Sequence, residues 1–329
     1  MRQQKIIIIF KAITFSLLLI VIAVSCSPWP QAMAIRYYFN KGGIEANNKL
    51  DNLVPPDIKS VKNIQYDKND PDAYFDIHSP ADFATKNYKT IVWIHGGAWI
   101  SGSKDQIENY CKILASKGFT VIPVNYSIAP EKKYPTAIKQ LNTFLSYLNK
   151  VHPQYHIDLS TVIFAGDSAG AQLAAQMVNL TVNPQYADLL GLQPALEKSR
   201  LKGVILFCGA YSLQGIDLQG QEASFLKTIL WSYTGSKEFK DKEEFKTMSV
   251  MNYINDDFPP TFISVGNADP LAEQSYNFYK ELVRLKVPTT ALFYKTDHLP
   301  QLQHEYQFDL TKEDGKKAFE EMVHFASER

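Results

Sequence analysis

The feature that most constrains this fold is a sharp turn at Ser168, between an apolar run and a run rich in alanine. The apolar run, 161–165, is typical of a buried strand, and the alanine-rich run, 171–178, is typical of a helix. The turn reads Gly166-Asp167-Ser168-Ala169-Gly170. A strained strand–turn–helix elbow needs small residues on both sides of the serine, because a bulky side chain would collide there. Such an elbow exposes the serine hydroxyl above a sheet, so the pattern predicts a nucleophile at Ser168.

Predicted strands and helices alternate from about residue 61 to the C-terminus. The predicted strands are 64–66, 73–78, 90–94, 119–124, 162–165, 203–208, 261–265 and 289–294, and the predicted helices are 106–116, 134–149, 168–180, 271–285 and 312–327. Strands separated by helices predict βαβ units, and therefore a mostly parallel sheet with helices on both faces. The connection from 209 to 260 is too long for one crossover helix. We therefore expect a small cap at about 211–258 over the carboxyl edge of the sheet, where open α/β sheets bind ligands.

The N-terminus has the layout of an export signal or a membrane anchor. Basic residues precede an uncharged apolar run, 12–24, and the stretch that ends at Cys26 resembles a bacterial lipobox. The cysteine of a lipobox is lipidated after cleavage, although here alanine stands where leucine is usual. We therefore expect residues 1–26 to be a lipidated signal, an uncleaved anchor or a secretion signal, in that order of preference. The first two alternatives predict an exported protein held at the cell-surface membrane, and the third predicts secretion.

Residues 27–60 are polar and contain several prolines and glycines, so we expect a linker ahead of a domain at 61–329. Its aromatic residues, Trp29 among them, are expected to lie over that domain or on a membrane surface. The 34 basic and 34 acidic side chains of the chain balance, which argues against a nucleic-acid partner. Three widely spaced cysteines form no metal-binding pattern, and we expect neither a metal nor an organic cofactor.

Two further loops supply groups that a serine nucleophile needs. The loop that begins at His95 follows a predicted strand. The backbone N–H groups of Gly96 and Gly97, with that of Ala169, would form an oxyanion hole. Asp269 follows another predicted strand and would orient a histidine and stabilise its charged form. The same aspartate is also placed to cap the next helix, and the two roles are compatible.

A histidine base is expected after the last predicted strand. His298 and His304 both lie there, and a variable loop allows either of them to reach Ser168. From the residues alone both histidines remain candidates. The chain order of serine, aspartate and histidine is the order found in α/β-hydrolases.

Together these motifs resemble those of the bacterial hormone-sensitive-lipase-like carboxylesterases. Besides the two loops around residues 96 and 168, the stretches 125–131 and 134–137 are similar to the two halves of that family's YRLAPE…FPAA motif. The resemblance covers about residue 61 to the C-terminus. It implies an α/β-hydrolase fold with a small cap, and ester hydrolysis through Ser168, Asp269 and a C-terminal histidine.

The resemblance also favours one histidine. In that family the catalytic histidine is followed by a small or acidic residue and then by an aromatic residue, a pattern that His304 matches and His298 does not. Two positions depart from the family. Ser127 replaces the usual arginine, so the ion pair of that motif is expected to be lost, and Ala171 replaces the usual glycine after the elbow.

The sequence thus predicts a carboxylesterase-type serine hydrolase that acts on small or short-acyl esters through an acyl-enzyme intermediate. The short acyl preference follows from the modest size of the predicted cap. A serine peptidase or amidase of the same fold is one alternative. A non-catalytic ligand-binding relative is another, which the presence of every triad residue disfavours.

Overall fold

A computed structural model describes residues 2–213, 216, 218–220 and 223–329, and these residues form an eight-stranded sheet with helices around it. The strands are β1 Lys59–Gln65, β2 Tyr74–Ser79, β3 Lys89–Ile94, β4 Phe119–Val124, β5 Val162–Asp167, β6 Leu201–Phe207, β7 Thr261–Val265 and β8 Thr289–Phe293. The α-helices are α1 Arg2–Cys26, α2 Trp29–Asn48, α3 Glu108–Ala115, α4 Thr136–Val151, α5 Ala169–Val182, α6 Pro184–Leu190, α7 Ala223–Thr234, α8 Glu243–Lys246, α9 Ala272–Arg284 and α10 Glu313–Ser327. Short 3-10 helices lie at Asp51–Leu53, Lys104–Ile107, His152–Tyr155, Lys198–Arg200, Phe239–Asp241, Val250–Tyr253 and Tyr306–Phe308.

The sheet has the order β1-β2-β4-β3-β5-β6-β7-β8. Strands β3 to β8 run parallel, and β1 and β2 add an antiparallel edge. Because parallel strands need crossover helices, both faces of the sheet are covered, and its central strands β3 to β7 are buried along nearly their whole length. Val92 and Phe164 pack on the face covered by α4 and α5, whereas Ile91 and Ile163 pack on the face covered by α3 and α10. The predicted mostly parallel sheet with helices on both faces is therefore confirmed.

Residues 27–60, expected to be a linker, instead contain a helix that packs on the domain. Pro28 and Pro30 lie at the start of α2, where proline has no helical N–H bond to lose. Ala32, one turn further on, is completely buried in the core. The prolines of this segment therefore begin a helix rather than interrupt one, which corrects the expectation of a linker.

Arg36 fastens α2 to the domain. Its Nε donates to the carbonyl oxygen of Ile100 at 2.6 Å, and its Nη2 donates to that of Ala129 at 2.6 Å. Its two terminal nitrogens also bind the carboxylate of Glu131, at 2.7 and 2.6 Å. The ion pair that Ser127 was expected to remove is therefore replaced, because Glu131 of the same motif is paired with Arg36.

The predicted cap at about 211–258 comprises α7, α8 and two 3-10 helices, and its positions 214, 215, 217, 221 and 222 lie outside the described residues. The cap packs against α2. The rings of Phe39 and Phe225 lie 5.9 Å apart, and the Thr228 hydroxyl lies 2.5 Å from the Gln31 side-chain oxygen. Helix α2 and the cap thus cover the same side of the domain.

The predicted signal or anchor at 1–26 falls on α1. Residue 1 and the side chains at 2, 3, 12 and 17–24 lie outside the part of the chain that the structure describes. Across the described part, the structure contains no helix with both the length and the apolar character needed to span a membrane. Cys26, at the end of α1, is exposed.

Replacing Arg36 with alanine is expected to loosen α2, because four hydrogen bonds of a charged donor are lost together. We expect the free energy of unfolding to fall by about 1–3 kcal/mol, and residues 27–50 to become sensitive to limited proteolysis. Lys41→Ala is the matched control, since Lys41 is exposed on the same helix. An unchanged proteolysis pattern in Arg36→Ala would contradict the role of this residue.

Candidate active site

Ser168 lies at the apex of the turn between β5 and α5, in a backbone conformation that few residues adopt. Its φ of 52° and ψ of −119° are strained for a residue other than glycine. Its N–H donates to the carbonyl oxygen of Phe207 at 2.8 Å. Gly170 lies so close to β3 that a Cβ there would come within 2.0 Å of the Ile94 carbonyl oxygen. Small residues therefore let α5 approach the sheet and hold the turn.

Three side chains singled out in the sequence meet at this turn. Ser168 Oγ lies 2.9 Å from His304 Nε2, and His304 Nδ1 lies 2.8 Å from Asp269 Oδ2. Because an ionised carboxylate only accepts hydrogen bonds, Nδ1 carries the proton and Nε2 is free to accept from the serine hydroxyl. The other oxygen of Asp269 accepts the N–H of Leu271 at 2.7 Å. The aspartate thus orients the histidine and also holds the turn that precedes α9. It does not cap that helix as expected, because the N-cap position is Leu271, which has no side-chain cap hydrogen bond.

The alternative base, His298, is not brought to Ser168. Its Nε2 lies 3.1 Å from Asp314 Oδ2, and its ring packs 4.7 Å from that of Tyr294. The Asn267 side chain donates to the His298 carbonyl oxygen at 3.0 Å. This bond anchors the loop near Asp269. The structure therefore uses His298 to join the loop to α10.

The surroundings of His304 favour its charged form. Burial lowers the pKa of the imidazole, but Cys208, Asp269 and Glu305 raise it, and the net pKa lies above the ordinary value of histidine. A ring with a raised pKa is a stronger acceptor for the hydroxyl proton of Ser168, provided that it is neutral at the working pH.

The loop after β3 presents a different pair of free donors from the pair that the sequence suggested. The N–H of Gly96, predicted as an oxyanion donor, already donates to Asp167 Oδ2 at 2.8 Å. The N–H groups of Gly97, Ala98 and Ala169 have no acceptor among the described residues. Gly97 also has a φ of +107°, which favours glycine. The available donors are therefore Gly97, Ala98 and Ala169, with Ala98 in place of Gly96.

Asp167 and His95 fix the position of the loop after β3 through buried hydrogen bonds. The Asp167 carboxyl is buried and accepts the indole N–H of Trp93 at 2.9 Å as well as the Gly96 N–H. His95 Nδ1 donates to the Gly96 carbonyl oxygen at 2.8 Å, and its ring stacks 4.3 Å from that of Tyr126. Burial lowers the pKa of His95 to about 4, so this ring is neutral and has a structural role.

A cleft of about 280 Å³ opens over Ser168. Helix α2 forms one wall of this cleft, and the loops that follow β3, β5 and β8 form the opposite side. The α2 residues that line it are Tyr38, Phe39, Gly42, Gly43, Ala46 and Asn47. A Cβ on Gly42 would meet nothing within 4 Å, so this glycine leaves open space inside the cleft.

Sequence reasoning missed α2 and Glu305 as parts of this cleft. A signal for α2 was present, because Tyr38, Gly42, Ala46 and Leu50 recur every four residues and all line the cleft. Glu305 gave no comparable signal, because in the sequence it stands out only as the acidic residue that follows His304.

One group of the described residues has the donor types of a metal site. The ligand atoms of Cys208, Asp269 and His304 all lie within 4.8 Å of one another. The hydrogen bond between Asp269 and His304 already joins two of these three groups. A shared proton therefore already joins two of the three donor groups.

A family model described as BD-FAE matches residues 75–282. Acetyl esterases of Salmonella dublin and of Salmonella enteritidis PT4 are each 30% identical over 206 residues, which is 59% of this chain and 59% of each relative. The chain thus spans about three fifths of the length of these curated relatives.

Solved structures of esterases superpose over most of the chain. An inhibited esterase B from Lactobacillus rhamnosis has a TM-score of 0.80 at 22% identity, covering 91% of this chain and 96% of that one. A hyperthermophilic esterase from the archaeon Pyrobaculum calidifontis has a TM-score of 0.70 at 19% identity, covering 90% of each chain. These similarities and the observed sheet confirm the α/β-hydrolase fold predicted from the sequence.

The geometry predicts that Ser168 is an activated nucleophile, which a fluorophosphonate probe tests without assuming a substrate. We expect the probe to label Ser168, as mapped by mass spectrometry, and His304→Ala to lower the labelling rate at least about 100-fold. His298→Ala is the matched control and should keep the wild-type rate.

The raised pKa of His304 gives the same reaction a pH dependence. Because only the neutral ring accepts a proton, labelling should slow as the pH falls through a midpoint above 6.5. Equal labelling of the two histidine variants, or a midpoint well below 6.5, would contradict this description of the site.

Proposed function

The chain belongs to the BD-FAE family, and from this premise we propose that it is a carboxylesterase-type serine hydrolase with Ser168, His304 and Asp269 as its catalytic triad. The observation that carries the proposal is the continuous hydrogen-bond chain from Ser168 Oγ through His304 to the buried Asp269. These hydrogen bonds end at Ser168, which lines an open cleft, so the serine is accessible to a small ester. The printed names of the curated relatives, acetyl esterases, also support an ester substrate.

The proposed reaction has two steps. In the first, His304 Nε2 takes the proton of Ser168, Oγ bonds to the ester carbonyl carbon, and the bond to the alcohol oxygen breaks. His304 returns the proton to the departing alcohol, which leaves an acyl-enzyme. In the second step, water gives a proton to His304 and attacks the acyl carbon. The bond between this carbon and Ser168 Oγ then breaks, and His304 returns the proton to Oγ, which releases the carboxylic acid and restores Ser168.

Negative charge that develops on the carbonyl oxygen needs fixed donors. We assign this role to the backbone N–H groups of Gly97, Ala98 and Ala169, which lie beside Ser168 without acceptors of their own among the described residues. One such donor contributes about 3–4 kcal/mol to a transition state of this kind. Asp269, fully buried, stabilises the imidazolium that forms in each step.

The size of the cleft supports small or short-acyl esters as substrates. Its volume of about 280 Å³ holds few atoms beyond an ester group and a short chain, and α2 closes one side. The open space at Gly42 is the part of this cleft that a side chain would fill.

A series of p-nitrophenyl esters of increasing acyl length tests both the activity and the size limit. We expect kcat/KM to be highest for acetate or butyrate and to fall for longer chains, and Ser168→Ala to show no hydrolysis above background. Gly42→Leu should lower kcat/KM for the longer esters by about tenfold more than for acetate, because its side chain enters the cleft.

Lys41→Leu is the control for this series, since it adds the same side chain at the neighbouring exposed position. Preferential hydrolysis of long acyl chains would refute the proposed substrate size. Hydrolysis by Ser168→Ala at a substantial rate would refute the proposed nucleophile.

We further propose that the enzyme is exported and held at the cell-surface membrane through residues 1–26, with lipidation of Cys26 as the preferred form. The exposed Cys26 and the apolar residues before it support this. We expect wild-type protein from bacterial cells to incorporate a palmitate analogue and to partition into detergent, and Cys26→Ser to lose the label. Ser27→Ala is the control. A wild-type protein without label would refute lipidation.

A further inference from the structure

Glu305 lies in the cleft and has a backbone conformation that most residues other than glycine avoid. Its φ of 62° and ψ of 28° are left-handed, a conformation that favours glycine. Its carboxylate nevertheless lines the cleft, with Oε1 at 3.9 Å from His304 Nε2 and 36% of the side chain exposed. A glutamate held in this backbone conformation, beside the nucleophile's base, presents its charge to whatever enters the cleft.

Glu305 and its neighbour Asp167 differ in burial. Both carboxyl groups lie close to Gly96, since a Cβ on that glycine would be 2.2 Å from Asp167 Oδ2 and 3.1 Å from Glu305 Oε1. Burial, together with the nearby charge of Glu305, raises the pKa of Asp167 well above its usual range. The ionised form is therefore disfavoured at Asp167, whereas Glu305 keeps 36% of its side chain exposed in the cleft.

The residues around Glu305 supply no fixed positive charge. Among the described residues that line the cleft there is no lysine and no arginine, and His95 is neutral because burial lowers its pKa to about 4. His304, whose Nε2 lies 3.9 Å from Glu305 Oε1, is neutral in the form that accepts the proton of Ser168. Four aromatic side chains also line the cleft: Tyr38, Phe39, Tyr110 and Phe308. Aromatic rings attract cations, so this lining is compatible with a positively charged group beside Glu305.

We propose that Glu305 makes this cleft selective by charge, so that esters with a positive group near the reacting carbonyl are preferred to neutral isosteres, and anionic esters are disfavoured. The inference rests on the proposed esterase function and names a substrate class within it. The expected discrimination is about tenfold in kcat/KM for each unit of charge, since a group about 5 Å from a half-exposed carboxylate is only partly screened.

Three acetate esters of matched size test the proposal on the full chain: those of choline, of 3,3-dimethylbutanol and of isethionate, which carry positive, no and negative charge. Release of acid is followed at constant pH. We expect kcat/KM to fall in that order for the wild type, and Glu305→Gln to reduce each ratio to near unity. Ratios within one enzyme are compared, because a change at His304 affects all three esters alike.

Glu45→Gln is the matched control, since it removes the same charge from an exposed position on α2 that does not line the cleft, and it should leave the wild-type ratios unchanged. Raising the salt concentration should reduce the wild-type ratios, a test that needs no variant. Equal kcat/KM for the three esters, or unchanged ratios in a folded Glu305→Gln, would overturn the charge selectivity while leaving the esterase intact. Failure of the wild type to hydrolyse these esters and p-nitrophenyl acetate would instead overturn the proposed function.

Discussion

The buried carboxyl group of Asp167 joins three loops on which the site depends. It accepts the indole N–H of Trp93 from β3 and the N–H of Gly96 from the donor loop. Glu305, from the histidine loop, lies against the same group. Burial and Glu305 hold the pKa of Asp167 well above its usual range. The elbow, the donor loop and the histidine loop are therefore positioned by one shared set of contacts.

The cover of the cleft depends on a second set of contacts, made by Arg36. This side chain joins α2 to backbone oxygens and to Glu131, and α2 in turn brings Tyr38 and Gly42 to the cleft. The shape of the cleft is thus set by a helix that precedes the sheet in the chain. Its charge is set by Glu305, which follows the last strand. The proposed selection by size and the proposed selection by charge therefore depend on different residues.

Much of the fold was predictable because its signals are local. Small residues around Ser168 predict an elbow whatever surrounds them, and apolar runs at regular spacing predict a parallel sheet. The remainder depends on contacts between distant residues. Segment 27–60 is polar and rich in proline, and its helix is held by partners far away in the chain, among them those of Arg36, some 60 to 95 positions away. That the Gly96 N–H is already bonded depends on Asp167, 71 positions away. The choice of His304 over His298 needed the family resemblance, because loop geometry is not readable from spacing.

In the proposed reaction, the acyl group of the substrate becomes covalently attached to Ser168 through the action of His304. This intermediate can be detected by rapid quenching of the wild type during turnover of p-nitrophenyl acetate, followed by mass spectrometry of its peptides. We expect an acetyl group on Ser168 that builds up within the first turnover and disappears when the substrate is exhausted. Turnover without any acetylated peptide, or with the acetyl group on another residue, would contradict the account.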